Sequence, residues 1–311
     1  MLRRMLLAAS ASDRLRRMAV SAPYTRNVVA RYVAGDDAAA AVETTARLQE
    51  EGLQVSLDYL GEDTTSQDQA AAVAGEYVTL LGQLTAAGLA RDGRAEVSVK
   101  PTAVGLHLPE HGEKAAAANI ARICAAARAA GTTVTVDMED HTHVDATLRI
   151  VNEVRSDFPD LGCVIQSQLR RSADDCAALA YPGSRVRLCK GAYDAPEEVA
   201  FPARAEVDRS YARCLRVLMA GGGYPMLATH DTRLIEIGAA QAVLTGRDAS
   251  GFEYQMLYGV RPAEQRRLAR TGATVRVYVP YGHDWYRYLV RRLAERPANV
   301  GFFLRSLASR R

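Results

Sequence analysis

The sequence predicts an α/β protein, a (βα)8 barrel of the TIM type with N-terminal helices, and three observations point there. Eight short β-rich runs alternate with helical patterns. The runs are too apolar for strands with one wet face, as expected where helices cover a parallel sheet. A chain of 311 residues, 48% hydrophobic and 24% charged, also suits one large domain of this kind. The competing architecture is an open doubly wound sheet, which usually carries a glycine-rich phosphate turn after its first strand; neither GxGxxG nor GxxxxGK[ST] occurs.

The elements follow in order. Residues 1–51 read as helices only, and the Ala-rich amphipathic segment DDAAAAVETTARLQEEG stops at Gly52 as a C-cap. The strands are then LQVSLDYL (53–60), EVSVK (96–100), TTVTVDM (132–138), GCVIQSQL (162–169), SRVRLCK (184–190), PMLATH (225–230), GFEYQML (251–257) and ATVRVYV (273–279). Helical patterns lie between them, such as QDQAAAVAGEYVTLLGQLTAAG after the first and AEVDRSYARCLRVLMAGGG after the fifth. No linker, composition break or repeat divides this part. The expected organisation is an N-terminal helical appendage at 1–51 and a barrel at 52–311.

Composition excludes several classes of function. A formal net charge of +3, with no basic stretch interleaved with aromatics, argues against nucleic acid as a partner. Basic residues do crowd toward both ends, with Arg3, Arg4, Arg14, Arg16, Arg17 and Arg26 at the front. That permits weak contact with an anionic surface. Cys124, Cys163, Cys176, Cys189 and Cys214 are odd in number and lack CxxC spacing, which suits a reducing compartment. The opening MLRRMLLAASAS imitates a signal peptide, but ASDRLRRM behind it reads as an N-capped charged helix. No run reaches the roughly 18 apolar residues of a membrane span. The expected location is cytoplasmic, with possible peripheral contact at the inner face of the membrane.

Only three of the 39 basic residues are lysine: Lys100, Lys114 and Lys190. A chain that writes Arg almost everywhere keeps Lys where a compact ammonium on a thin stem is needed. Lys114 opens a helical stretch, but Lys100 and Lys190 fall at strand ends. In such barrels the site forms at the C-terminal ends of the strands. Those positions hold Lys100, Asp137, Gln166 and Gln168, Arg187 and Lys190, Thr229 and His230, and Tyr278. The helix after the eighth strand, YLVRRLAERPAN, places Tyr288, Arg291, Arg292 and Glu295 on one face, with Tyr286, Leu289, Val290 and Leu293 opposite.

This set is rich in cations and has no GxSxG and no Cys beside a His. It implies anionic guests: a carboxylate held by an arginine fork and a lysine, or a phosphate approached by the backbone at Gly191 and Ala192 of KGAY. The rival site is DMEDHTH, residues 137–143, whose His141 and His143 beside carboxylates suit a divalent metal in a barrel hydrolase or aldolase acting on a small carboxylate. A barrel that binds a carboxylate without turnover is a third reading.

VSVK, TVDMED, VIQSQLRR, RVRLCKGAY, LATHD, FEYQMLYG, VRVYVPYG and YLVRRLAERPAN, in this order, resemble the barrel of proline dehydrogenase over about residues 50 to 300. The length and helical front end look like its single-function bacterial form. The resemblance implies FAD-dependent oxidation of L-proline to Δ1-pyrroline-5-carboxylate, the first step of proline degradation to glutamate, with electrons passed to a quinone. It implies that Lys100, Arg291 and Arg292 hold the proline carboxylate, with Glu295 orienting the arginines. Tyr278, Tyr288 and Leu257 would wall the ring. Asp137 and Arg187 would be catalytic, Arg187 beside the flavin, and Met138, Gln166, Lys190, Gly191, Ala192, Thr229 and His230 would line FAD. Pro101, Gln168 and Asp194 depart from the family pattern, and Pro101 is expected to bias the reach of Lys100. No metal ligand is implied.

Overall fold

Eight parallel strands close on themselves in sequence order: β1 Gln54–Tyr59, β2 Ala95–Val99, β3 Val134–Val136, β4 Gly162–Gln166, β5 Arg185–Cys189, β6 Tyr224–Ala228, β7 Glu253–Leu257 and β8 Val275–Tyr281. The computed structural model describes residues 29–61, 64–286 and 288–290. Each strand falls on one of the eight expected runs. Closure is made by β1 against β8, in register from Gln54 opposite Arg276 to Tyr59 opposite Tyr281.

The helices are α1 Ala38–Glu50, α2 Gln67–Ala86, α3 Gly112–Ala129, α4 Val144–Arg155, α5 Ser172–Leu179, α6 Arg204–Ala220, α7 Thr232–Leu244 and α8 Pro262–Arg270. Local chemistry sets several starts: Asp37, Ser66 and Asp231 each accept a backbone N–H in the first turn of the helix they precede. Gly52 takes φ +77° just past α1, as the sequence predicts. The main core lies between sheet and helices, where Leu57, Val97, Val136 and Ile165 meet Tyr77, Leu80, Ile120 and Ile150. Each fully buried aliphatic side chain contributes about 1.5–3 kcal/mol.

One expectation needs correction. The strands are dry on both faces, but the inward face is mixed, with most of the buried polar and charged side chains there beside apolar residues such as Met226 and Val164. The period of two sends Val55 and Leu57 outward, and Ser56 and Asp58 into the barrel. Glu96 and Ser98 on β2, and Arg187 on β5, likewise meet one another inside.

The C-terminal mouth carries a second cluster. Tyr32, Val33 and Leu60 pack with Trp285, Tyr286, Tyr288, Leu289 and Val290, so the segment before α1 braces the helical stretch after β8. Of the expected appendage at 1–51, residues 1–28 lie outside the described residues. Among the described residues no helix is long and apolar enough to cross a membrane.

Candidate active site

The barrel interior is built in two charged layers. At the N-terminal end, Glu96 is fully buried. Its carboxylate meets Arg185 at 2.8 Å, Arg187 at 3.3 Å and Arg276 at 3.9 Å. Ser56, Thr133 and Thr135 also donate to it. Burial alone would raise its pKa, but the three guanidinium groups outweigh burial and hold the carboxyl well below the usual carboxylate range. Arg276 forks onto Glu253 at 2.8 and 3.1 Å and also donates to Gln54 and to the carbonyls of Val55 and Gly93. Gly162 is needed nearby, because a Cβ there would stand 2.6 Å from Thr135 Oγ1.

Arg187 joins this layer to the one above. Its Nη2 donates to Ser56 at 3.1 Å and Glu96 at 3.3 Å, and its Nη1 donates to Ser98 at 2.8 Å and Asp137 at 2.7 Å. Tyr278 donates from its hydroxyl to the other Asp137 oxygen at 2.7 Å. The Arg187 guanidinium also lies 5.3 Å from the Tyr278 ring centre. Burial opposes the charge on Arg187, yet Asp137 and Glu96 outweigh it and raise its pKa. Burial, and then Asp137, lift the Tyr278 hydroxyl well above the ordinary phenol range, so it remains a neutral donor. Lys100 lies on the same wall with Nζ 2.5 Å from Asp58 Oδ1. Pro101 does not continue the strand; it opens the 3-10 turn Thr102–Val104 immediately after Lys100.

The residues proposed for the cofactor occupy the neighbouring rim. Gln166 donates to the carbonyls of Met138 and Glu139 at 2.9 and 2.8 Å, tying β4 to the end of β3. Gln168 donates to Gln166 and to the Tyr193 carbonyl, and it lies under Gly191. Gly191 has φ +106°, and a Cβ there would stand 2.4 Å from Gln168 Cδ. The positive φ favours glycine, and any larger residue would have to displace the Gln168 side chain as well. Ala192 follows it, half-buried. Thr229 Oγ1 accepts from the Asp231 backbone, and His230 Nε2 accepts from Leu257 N at 2.9 Å. Lys190 is not gathered with Arg187. It is out of phase with Arg187 on β5 and pairs with Asp208 at 2.5 Å and Asp231 at 3.2 Å, near the starts of α6 and α7.

Tyr288 is buried at the mouth. Arg291, Arg292 and Glu295 lie outside the described residues. DMEDHTH separates: Asp137 faces Arg187, while Glu139 accepts from the backbone and hydroxyl of Thr102. His143 Nε2 lies 2.8 Å from His107 Nε2, and His141 lies against Asp140. Among the described residues no three His, Cys, Asp or Glu side chains converge to hold a metal.

Reading strand ends alone missed Asp58, Ser98, Glu96, Arg185, Glu253 and Arg276. The available signal was the period of two: if Lys100 points inward, so do Ser98 and Glu96, and Arg187 likewise brings Arg185.

The model of the family described as proline dehydrogenase matches residues 41–305. Proline dehydrogenase 1 of Bacillus subtilis (strain 168) is 38% identical over 307 residues, covering 99% of each chain. Proline dehydrogenase of Deinococcus radiodurans is 38% identical over 283 residues, 90% of each. A solved structure of proline utilization A (PutA) from Bdellovibrio bacteriovorus superposes with a TM-score of 0.80 at 24% identity, over 87% of this chain and 33% of that longer one, a likeness of fold. With a family model over most of its length and relatives aligned nearly end to end, the chain belongs to the proline dehydrogenase family, and its activity is the oxidoreductase step that begins proline catabolism.

Proposed function

We propose that this enzyme oxidises L-proline to Δ1-pyrroline-5-carboxylate with FAD, with a quinone as final electron acceptor. The observation that carries the reading is the Arg187 fork, a permanent cation fixed by Asp137, Ser98, Ser56 and Glu96 at the C-terminal end of the barrel. The residues fit a flavin. Arg187 Nε is a buried donor with no acceptor among the described residues, and Gly191 presents backbone where a Cβ would meet Gln168. Met138, Gln166, Arg187, Lys190, Gly191, Ala192, Thr229 and His230 would hold the group. Bound FAD would supply the two-electron acceptor for the C–H bond next to the proline nitrogen.

The chain's own task is then binding and orientation. Lys100, Arg291 and Arg292 take the carboxylate, and Tyr278, Tyr288 and Leu257 wall the ring. Asp137 keeps Arg187 in place and, through its bond from Tyr278, fixes that ring in the same constellation. The barrel at 52–311 is the catalytic unit, with 1–51 as its helical front. The test is the visible spectrum of the purified protein under anaerobic conditions, before and after addition of L-proline. A flavin band that bleaches is the expected result, and a band that persists moves the substrate to another small carboxylate. For the quinone, deletion of residues 1–20 is expected to weaken vesicle sedimentation while preserving proline oxidation with a soluble dye. Equal sedimentation of the two proteins would remove that part.

A further inference from the structure

Lys100 is held by a group that its strand-end position does not reveal. Asp58, on β1, lies across the β1–β2 pair in register with Ser98, two residues before Lys100, and its Oδ1 is 2.5 Å from Lys100 Nζ. The Asp58 side chain is 1% exposed and that of Lys100 8%. A small solute arriving from the mouth therefore meets the ammonium before the carboxylate. The geometry points to Asp58 as the positioning residue of Lys100: it anchors one of the three ammonium donors, fixes the direction of the side chain and keeps it cationic for the substrate's carboxylate. This inference rests on the reading that Lys100 receives that carboxylate.

The need for such a residue is physical. A lysine taken out of water tends to shed its proton unless an anion stands beside it, whereas an arginine does not. Asp58 is a carboxylate in direct contact with Lys100, and the neighbouring groups are engaged elsewhere or uncharged. Asp137, just past β3, is engaged by Arg187 of β5, Ser98 and Tyr278. Tyr278 and Tyr281 of β8 and Tyr77 of α2 are phenols whose pKa values burial pushes upward, so they add no charge. Asp58 in turn depends on Lys100, because its Oδ2 is buried without a hydrogen-bond partner among the described residues. A purely structural ion pair would be replaceable by uncharged residues of similar shape with little effect on kinetics.

The experiment uses the purified holoenzyme, L-proline and a soluble dye, and compares Asp58→Asn, Lys100→Met and the double variant across pH. Asp58→Asn is expected to raise KM for proline about tenfold to a hundredfold, the loss of one charge-assisted contact, by more than it changes kcat. It is also expected to move the alkaline limb of kcat/KM to lower pH, since Lys100 without its anion deprotonates sooner. Lys100→Met is expected to raise KM and abolish that shift, and the double variant to be no worse than Lys100→Met. Unchanged KM and pH profile in Asp58→Asn, beside a raised KM in Lys100→Met, overturns the role of Asp58 and leaves that of Lys100. An unchanged KM in Lys100→Met removes the reading of Lys100 and this inference with it. Additive losses in the double variant also overturn it. Should Asp58→Asn not fold, Asp58→Glu keeps the anion on a longer stem and is expected to raise KM with the alkaline limb in place; an unchanged KM there counts against positioning.

Discussion

Glu96 and Asp58 stand on neighbouring strands inside the same barrel, 0% and 1% exposed, yet their carboxyls are driven in opposite directions. Burial raises both. At Glu96 three arginines reverse it, and the group is held ionised. At Asp58 burial is opposed by Lys100 and reinforced by the charge of Asp137, so the pKa ends above its ordinary value. Depth of burial does not decide the sign; the number of permanent cations within reach does. The N-terminal layer is a closed ionic framework, with none of the polar side-chain atoms of Glu96, Glu253, Arg185 or Arg276 left both buried and unpaired among the described residues. The layer above it keeps a buried Arg187 Nε and a buried Asp58 Oδ2 without partners. That under-compensated layer adjoins the mouth, where a charged guest can complete it.

The largest effect should come from breaking the framework. Glu96→Gln leaves Arg185, Arg187 and Arg276 facing one another with the anion removed, and an arginine cannot discharge by losing its proton. Breaking one side of a buried ion network costs about 3–5 kcal/mol, so the guanidinium denaturation midpoint should fall accordingly. Asp58→Asn should cost less than half as much, because Lys100 can deprotonate. Equal losses in the two variants would show that the layers are not distinct.

Arg187 belongs to both layers, and Arg187→Lys separates its two duties. A lysine cannot span Ser56 and Glu96 on one side and Ser98 and Asp137 on the other. Losing a charge-assisted bond of about 1.5–3 kcal/mol from the Asp137 side should lower kcat/KM for proline roughly a hundredfold. A fall in stability with unchanged kinetics would place Arg187 in the framework alone.

The order of strands was legible because each outward face keeps its apolar alternation and each helix its own period. The strand-end polar residues were legible because a barrel puts its site there. The partners of those residues were not. Glu96 and Arg185 are 89 positions apart, and only the register of the four strands β2 to β5 brings them together, a property set by closure of the whole sheet. The phase within a strand was available and would have extended the site from Lys100 down to Glu96. The same phase separates Lys190 from Arg187, so its ion pairs with Asp208 and Asp231 follow from strand geometry, while its isolation as a rare lysine drew attention for a different reason. The contact of Gln168 beneath Gly191 could be found only from the folded loop.

A smaller effect is expected at that loop, which lies outside both charged layers. Gly191→Ala meets Gln168 and must hold a positive φ, a strain of about 1–3 kcal/mol. It should weaken FAD retention, measured by the flavin lost on dialysis, and lower the denaturation midpoint of the apoprotein by no more than that strain. Adding Gln168→Ala removes the clash but not the backbone strain, so retention should recover only in part. Full recovery would make the steric contact the whole cause.

The smallest effect tests the opposed carboxyls directly. Glu96, with its depressed pKa, contributes stability that is present above the unfolded carboxyl value of about 4.3 and is lost as pH falls through its folded pKa. Asp58 does the reverse: its folded pKa is raised, so the native state binds the proton first. Its contribution is fully present below the unfolded value of about 3.9 and is lost as pH rises through the folded pKa. The stability of the wild-type protein relative to Asp58→Asn should therefore be greatest at the acid end of a pH 4 to 8 series and decline toward neutrality, measured by denaturation at each pH. A difference that grows with pH would mean that Lys100 wins over burial at Asp58. The upper layer would then be compensated like the lower one, and the contrast between them would reduce to geometry.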